Sequence, residues 1–214
     1  MQTIGAWWDG AAYSVVTYPS RSSRESHHFR IAPDMTVVSD VRLGKLVTAA
    51  TGVPGRTMMV SGSSLTIVDD NDASIATAAL TVPQYSSFVA ASNGRDQFLL
   101  VAIAPSGATY ASRFSRAGLQ LDDMTTPVTT SGAPLVEAFG DRWLLVTPGA
   151  AMEFPSRKPV DLSAAGTIVA MARAASDRLV LMTSETVNAG GAPQQLLMLR
   201  DLYDVSPVRR RASR

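Results

Sequence analysis

Apolar positions along the chain cluster in short runs of four to six residues rather than at helical spacing, and the runs recur. Each unit offers an apolar stretch, a turn containing Gly, Asp or Asn, and a second run that mostly opens on an aromatic or long aliphatic residue. The pairs are Ala6-Trp7-Trp8 with Tyr13 to Val16, Val47 to Ala50 with Thr57 to Val60, and Phe88 to Ala91 with Phe98 to Val101. Leu135 to Phe139 with Trp143 to Val146 and Ile168 to Ala172 with Leu179 to Met182 complete the series. The second runs begin at 13, 57, 98, 143 and 179, spacings of 44, 41, 45 and 36 residues. Runs this short, rich in Val, Leu, Ile and aromatics and punctuated by Gly and Pro, predict strands. The best helical candidate, 164 to 175, contains Gly166 and the pair Ile168-Val169, and the repeat claims it as a strand.

A second half-unit repeats with the first. Phe29 to Asp40 superposes without a gap on Ser112 to Asp123 at an offset of 83 residues, or two units, bringing Arg30 onto Arg113 and Asp40 onto Asp123. A period near 40 to 50 residues is that of a four-stranded propeller blade. Asn93-Gly94, between two apolar runs, predicts a tight type I′ hairpin. Uninterrupted runs such as Phe98 to Val101 fit strands covered on both faces, and radial repetition leaves only short sheet edges. The fold class predicted is all-β: a β-propeller or partial propeller of about five blades, mostly of three to four antiparallel strands. Its innermost strands are expected at 3 to 8, 46 to 50, 88 to 92, 135 to 139 and 168 to 172. The propeller domain is expected over 1–204, ending on a last strand Gln195 to Leu199, with a basic disordered tail over 205–214. No strand is identified that would latch the ring, so closure at five is left open.

The 214 residues are 46% hydrophobic and 17% charged, a composition with ample material for a core. Of the 19 basic residues, Arg209, Arg210, Arg211 and Arg214 lie in the last six positions. The body thus carries 15 positive against 18 negative side chains, which argues against nucleic acid binding through it. Cysteine is absent, which removes disulfides, thiolate metal sites and a Cys nucleophile. Residues 1 to 20 show no signal-peptide pattern, and no apolar stretch approaches the length of a membrane span.

Residues 88 to 146, with Asn93, Gly94, Phe98, Leu99, Leu100 and Val101 followed by Arg113, Phe114, Gly118, Leu121 and Asp122, resemble the β-propeller repeats of bacterial secreted and cell-surface proteins. The resemblance implies the fold and an extracytoplasmic setting. It carries over no catalytic residue.

Candidate chemistry is sparse. Propeller glycosidases place two carboxylates on innermost strands, and here only Glu137 lies on one; Asp9 or Asp40 would have to be its partner. Asp9, Asp96, Asp141 and Asp177 sit at hairpin tips, where side-chain bonds to nearby amides account for them. His27 and His28 are adjacent, so a strand would point them to opposite faces and away from one shared metal; the stretch around them reads as an exposed loop. Asp69, Asp70 and Asp72 form an oxygen-rich cluster suited to Ca²⁺ but without the spacing of a calcium loop, and a solvated turn is favoured. Trp7, Trp8, Tyr13 and Tyr18 are a conceivable sugar platform, with core packing the favoured reading. No nucleophile elbow, phosphate loop or dinucleotide fingerprint occurs, and no cofactor is expected. The arginine-rich end with Ser213 reads as a solvated tail rather than a phosphate or lipid contact.

These readings favour a non-catalytic module that binds a protein or glycan, or acts as a spacer in a larger surface protein, with loops 19–28 and 183–194 on a rigid ring. The rival is a hydrolase built on Glu137. A piece of a larger ring, completed by the rest of a longer chain, would expose apolar faces at both ends.

Overall fold

The computed structural model describes residues 2–18, 25–84, 86–124, 129–130, 132–139, 142–148, 150–162, 166–175, 178–189 and 192–203. The tail and the tips at Asp141 and Asp177 lie outside them, as do residues 19–24 of the first expected loop. The described residues form seventeen strands in five antiparallel sheets, each hydrogen-bonded in chain order. The first sheet is β1 (Gln2–Trp8), β2 (Tyr13–Tyr18), β3 (His27–Ile31) and β4 (Val37–Arg42). The second is β5 (Ala49–Val53), β6 (Arg56–Ser61), β7 (Ser64–Val68) and β8 (Ser74–Ala79). The third is β9 (Ser87–Ser92), β10 (Gln97–Ile103) and β11 (Thr109–Ser115). The fourth is β12 (Leu135–Phe139), β13 (Arg142–Thr147) and β14 (Ala150–Phe154), and the fifth β15 (Thr167–Ala175), β16 (Arg178–Ala189) and β17 (Ala192–Tyr203). Two compact units result, Met1–Val136 with Thr147–Gly149, and Glu137–Val146 with Ala150–Arg214.

In the first unit, β5 packs against both β1 and β9 and is buried along its whole length. The middle strand β6 shows why its run is uninterrupted. Met59 joins Val16, Val47, Ala50 and Val68 in a core shared with the first sheet, while Met58 and Val60 join Leu65, Phe98, Leu100 and Phe114 in a core shared with the third. Side chains alternate across a strand, so a strand between two sheets needs an apolar residue at every position. A phase rule follows for the repeat. In the second and third sheets, positions one and three of the second run (Thr57 and Met59; Phe98 and Leu100) face the preceding sheet, and positions two and four of the second sheet's run (Met58, Val60) face the following one.

In the second unit, Trp143 and Leu145 are buried on β13, and Arg142 pairs with Glu153 across the β13–β14 hairpin. The fifth sheet corrects the sequence reading. Of the expected polar loop at 183–194, residues 183–189 and 192–194 instead continue β16 and β17, paired from Ser184↔Leu197 to Ala189↔Ala192, so the last strand exceeds the expected Gln195 to Leu199 at both ends. The second innermost strand also shifts, from the expected 46–50 to Ala49–Val53.

One five-residue turn recurs. At 32–36, 69–73, 104–108 and 115–119 the first amide donates to the fifth carbonyl and the fourth amide to the first carbonyl. The fourth residue takes positive φ in each: Met35 (68°), Asp72 (60°), Gly107 (84°) and Gly118 (83°). This is the hairpin in which a type I turn precedes one left-handed residue. Met35 and Gly118 are equivalent under the offset of 83, so the half-unit alignment is reproduced bond by bond. Asn93-Gly94, by contrast, is no type I′ turn. The Asn93 carboxamide accepts from the amides of Arg95, Asp96 and Gln97 at 2.9 to 3.0 Å, closing a four-residue loop in which Gly94 alone among its residues has positive φ.

The innermost strands approach too closely for side chains at two points. A Cβ on Gly5 would fall on the Ala50 carbonyl, and one on Gly52 inside the Trp7 indole. Gly52→Ala and Gly5→Ala are each expected to cost about 1–3 kcal/mol by overpacking, whereas Gly132→Ala, with nothing within 4 Å, should leave stability unchanged. Urea unfolding of the three variants checks this.

Candidate functional site

Two residue doublets in the first sheet are divided by strand alternation. Trp7 and His28 turn inward: their rings stack at 5.8 Å between centroids, Trp7 lies against the core shared with the second sheet, and His28 is 2% exposed. His28 Nδ1 meets the carboxylate of Asp72 at 2.8 Å, across two sheets. The exposed-loop reading of the histidines is therefore corrected: both lie on β3, and the partner that draws His28 inward is 44 positions away in sequence. Positive φ at Asp72, which Asp tolerates better than most residues, sets its carboxylate within reach.

Trp8 and His27 lie on the opposite face. Register places Trp8, Tyr13, Ile31 and Val37 in one row across the four strands, with Ala6, Val15, Phe29 and Asp40 in the next. Trp8 is 45% exposed, Tyr13 48% and Val37 61%, so for Trp8 and Tyr13 the core reading is corrected; Tyr18 is exposed too. The Trp8 and Tyr13 rings meet edge to face at 5.0 Å. His27 stacks on Phe29 at 5.7 Å, and its Nδ1 lies 2.8 Å from Asp40 Oδ1. The face is aromatic and aliphatic with an ion-pairing rim, a chemistry that takes up apolar surface. Phe29, Ile31 and Val37 were not singled out by sequence; the pairing of β3 and β4 adds them to the row.

The remaining candidates are engaged otherwise. Asp9 Oδ1 accepts from the amides of Ala11 and Ala12, and Oδ2 from Ser14 and Arg30. Burial presses its pKa up, but those amides and the Arg30 guanidinium together hold it below the ordinary carboxylate value. Asp69 accepts from the amides of Asn71 and Ala73 and so caps its own turn, Asp70 is exposed, and Asp72 holds His28. Among the described residues no group of three or more His, Cys, Asp or Glu is placed to share a metal ion. Burial raises the pKa of Glu137, opposed by the Ala138 amide and the charge of Arg173. Arg142, its nearby basic residue in sequence, pairs with Glu153 instead.

No protein-family model and no curated protein matches the chain. Solved structures do. The WD40 domain of Pan2 from Neurospora crassa is 11% identical with a TM-score of 0.59, over 94% of this chain and 62% of that one. KlAtg21, in complex with the coiled coil of AgAtg16, is 10% identical with a TM-score of 0.57, over 82% and 62%. The uncharacterized protein lmo1340 from Listeria monocytogenes is 11% identical with a TM-score of 0.52, over 94% and 62%. The chain thus spans under two thirds of the length of each of these three. With the five sheets, these likenesses establish a β-propeller fold, and at such identity they establish the fold alone.

The histidine doublet yields a paired prediction. Asp72→Ala leaves the buried His28 Nδ1 without its partner and should cost about 1–3 kcal/mol, while Asp40→Ala, at an exposed pair, should cost under about 1 kcal/mol; denaturant midpoints decide. For Glu137, a folded pKa above the unfolded one means that its stabilising contribution is complete below the unfolded value and lost as pH rises through the folded one. Glu137→Gln should therefore gain stability relative to the parent between acid and neutral pH. A difference that stays constant across that range would contradict the burial argument.

Proposed function

We propose that the chain is a non-catalytic β-propeller module that docks a protein partner through the open face of its first sheet. The observation that carries this reading is the exposed Trp8–Tyr13 pair in one row with Ile31 and Val37. Large aromatics supply contact area at low conformational cost and dominate the energetics of interfaces. Placed on paired strands rather than a free loop, they are positioned before a partner arrives, which lowers the cost of binding. A propeller bound to a coiled coil, as in the KlAtg21 complex, is a precedent for the kind of ligand. The resemblance of residues 88 to 146 to surface-protein repeats suits an extracytoplasmic setting.

The hydrolase reading has less support. Half-buried Glu137 has its pKa raised by burial, the direction a general acid needs. Glycoside hydrolysis needs a second carboxylate, and the two that the sequence offers are committed, Asp9 to turn amides and Arg30, Asp40 to His27.

A photo-crosslinking residue placed at Val37 in the producing cell should give a discrete protein adduct, whereas the same residue at Ser63, on the β6–β7 turn, should give none. Equal labelling at both positions, or none at either, would remove the docking reading.

A further inference from the structure

We infer that Asn93 is a deamidation site that the folded third sheet holds closed: the residue converts when the β9–β10 loop opens, and its product weakens that loop. Asn93-Gly94 is the one Asn-Gly pair in the chain. The chemistry is intramolecular and consumes only water. The backbone nitrogen of Gly94, on losing its proton, bonds to Cγ of Asn93; the Cγ–Nδ2 bond breaks, and Nδ2 takes up a proton and leaves as ammonia. The five-membered imide then adds one water at either carbonyl and opens to aspartate or isoaspartate at position 93. Glycine obstructs this closure least, since it has no side chain beside the attacking nitrogen.

Solvent access does not restrain the reaction, because Arg95 and Asp96 are exposed and Asn93 is only half-buried. Hydrogen bonding does. Oδ1 of Asn93 accepts from the amides of Arg95, Asp96 and Gln97 at 2.9 to 3.0 Å, and Nδ2 donates to Asp96 Oδ1 at 2.9 Å. The carboxamide is anchored at both ends, whereas ring closure requires Cγ to swing onto the Gly94 nitrogen and Nδ2 to leave Asp96. The backbone beneath is fixed as well. The Asn93 amide donates to the Gln97 carbonyl, the Asp96 carbonyl accepts from the Arg116 amide in the turn after β11, and Ser92 pairs with the fully buried Phe98. Opening the loop therefore frays a hairpin rooted in the core shared by the second and third sheets.

The contact with Asp96 also decides what conversion does. A carboxylate at position 93 has no Nδ2 donor, and an oxygen stands in its place 2.9 Å from Asp96 Oδ1, so two like charges replace a hydrogen bond. Isoaspartate adds a main-chain methylene and displaces the side chain from the three amides.

The test is peptide mapping by mass spectrometry on the full chain at mildly alkaline pH, folded in buffer and unfolded in guanidinium chloride. The peptide carrying Asn93 should convert more slowly in the folded sample by about tenfold or more. Asn93→Asp should lower the denaturant midpoint, and adding Asp96→Asn should restore it, because a carboxamide at position 96 then donates to the carboxylate at position 93. If Asn93→Asp alone does not fold, recovery of folding in the double variant reads the same comparison. A folded rate equal to or above the unfolded one overturns the inference, since the three donors on Oδ1 would then activate the carbonyl rather than immobilise it. A double variant no more stable than Asn93→Asp overturns the account of the product.

Discussion

A strand that lies between two sheets has no face to give to water, and the packing of this protein follows from that constraint. On β6 it forces an apolar side chain at every central position and assigns them alternately, Met59 to one neighbour, Met58 and Val60 to the other. Full burial of such a side chain is worth about 1.5–3 kcal/mol, so a middle strand covered on both sides, as β6 is, stabilises two interfaces at once. The innermost strands must then approach closely, and Gly5 and Gly52 occupy the points where a methyl group would meet a carbonyl or an indole.

The recurrent five-residue turn connects local chemistry to this packing. Its fourth residue must take positive φ, which the chain satisfies with Gly twice, Met35 once and Asp72 once. Where the residue is Asp, the turn also acquires a carboxylate, and it is this group that reaches His28 on the neighbouring sheet. An acidic cluster that resembles a cation site in sequence is thereby a turn whose members have separate tasks, Asp69 capping amides and Asp72 bridging sheets. The Asp9 hairpin works similarly: one oxygen closes the turn and the other ties it to Arg30 on β3.

Much of the fold was legible because both-face burial leaves a direct trace, an unbroken apolar run, and tandem units repeat that trace at a readable period. The half-unit at an offset of 83 was legible for the same reason, since equal turns need equal backbone conformations. Readings failed where a distant partner or a polar strand decided the outcome. His28 sits in a polar stretch, and only Asp72 on another sheet explains its burial. The β16–β17 extension pairs Thr186 with Gln195 and Asn188 with Pro193, and Gln195, Asn188 and Pro193 have little strand signature; the register of the apolar part holds them. At Asn93, the pair Asn-Gly signalled a hairpin, but the side chain found three amides to accept from and a longer loop resulted. Of the site, Trp8 was legible as a residue but not its exposure, which depends on the order of the sheets rather than on strand pattern.

The two doublets show how alternation separates stability from recognition at adjacent positions. His28 is buried and Trp7 half-buried against it, and their stacking with the Asp72 contact ties the first sheet to the second. Trp8 and His27, one residue away, project from a backbone whose position is already set by those inward neighbours. Sheet formation alone does not require Trp and Tyr in an open row, since Thr serves a solvated strand face well. Contiguous exposed apolar surface carries an aggregation cost that soluble chains otherwise keep low. Retaining Trp8, Tyr13, Ile31 and Val37 in one row is therefore physically reasonable only for a face that spends much of its time covered, and the rigidity supplied from beneath by Trp7 and His28 is what makes such a face specific.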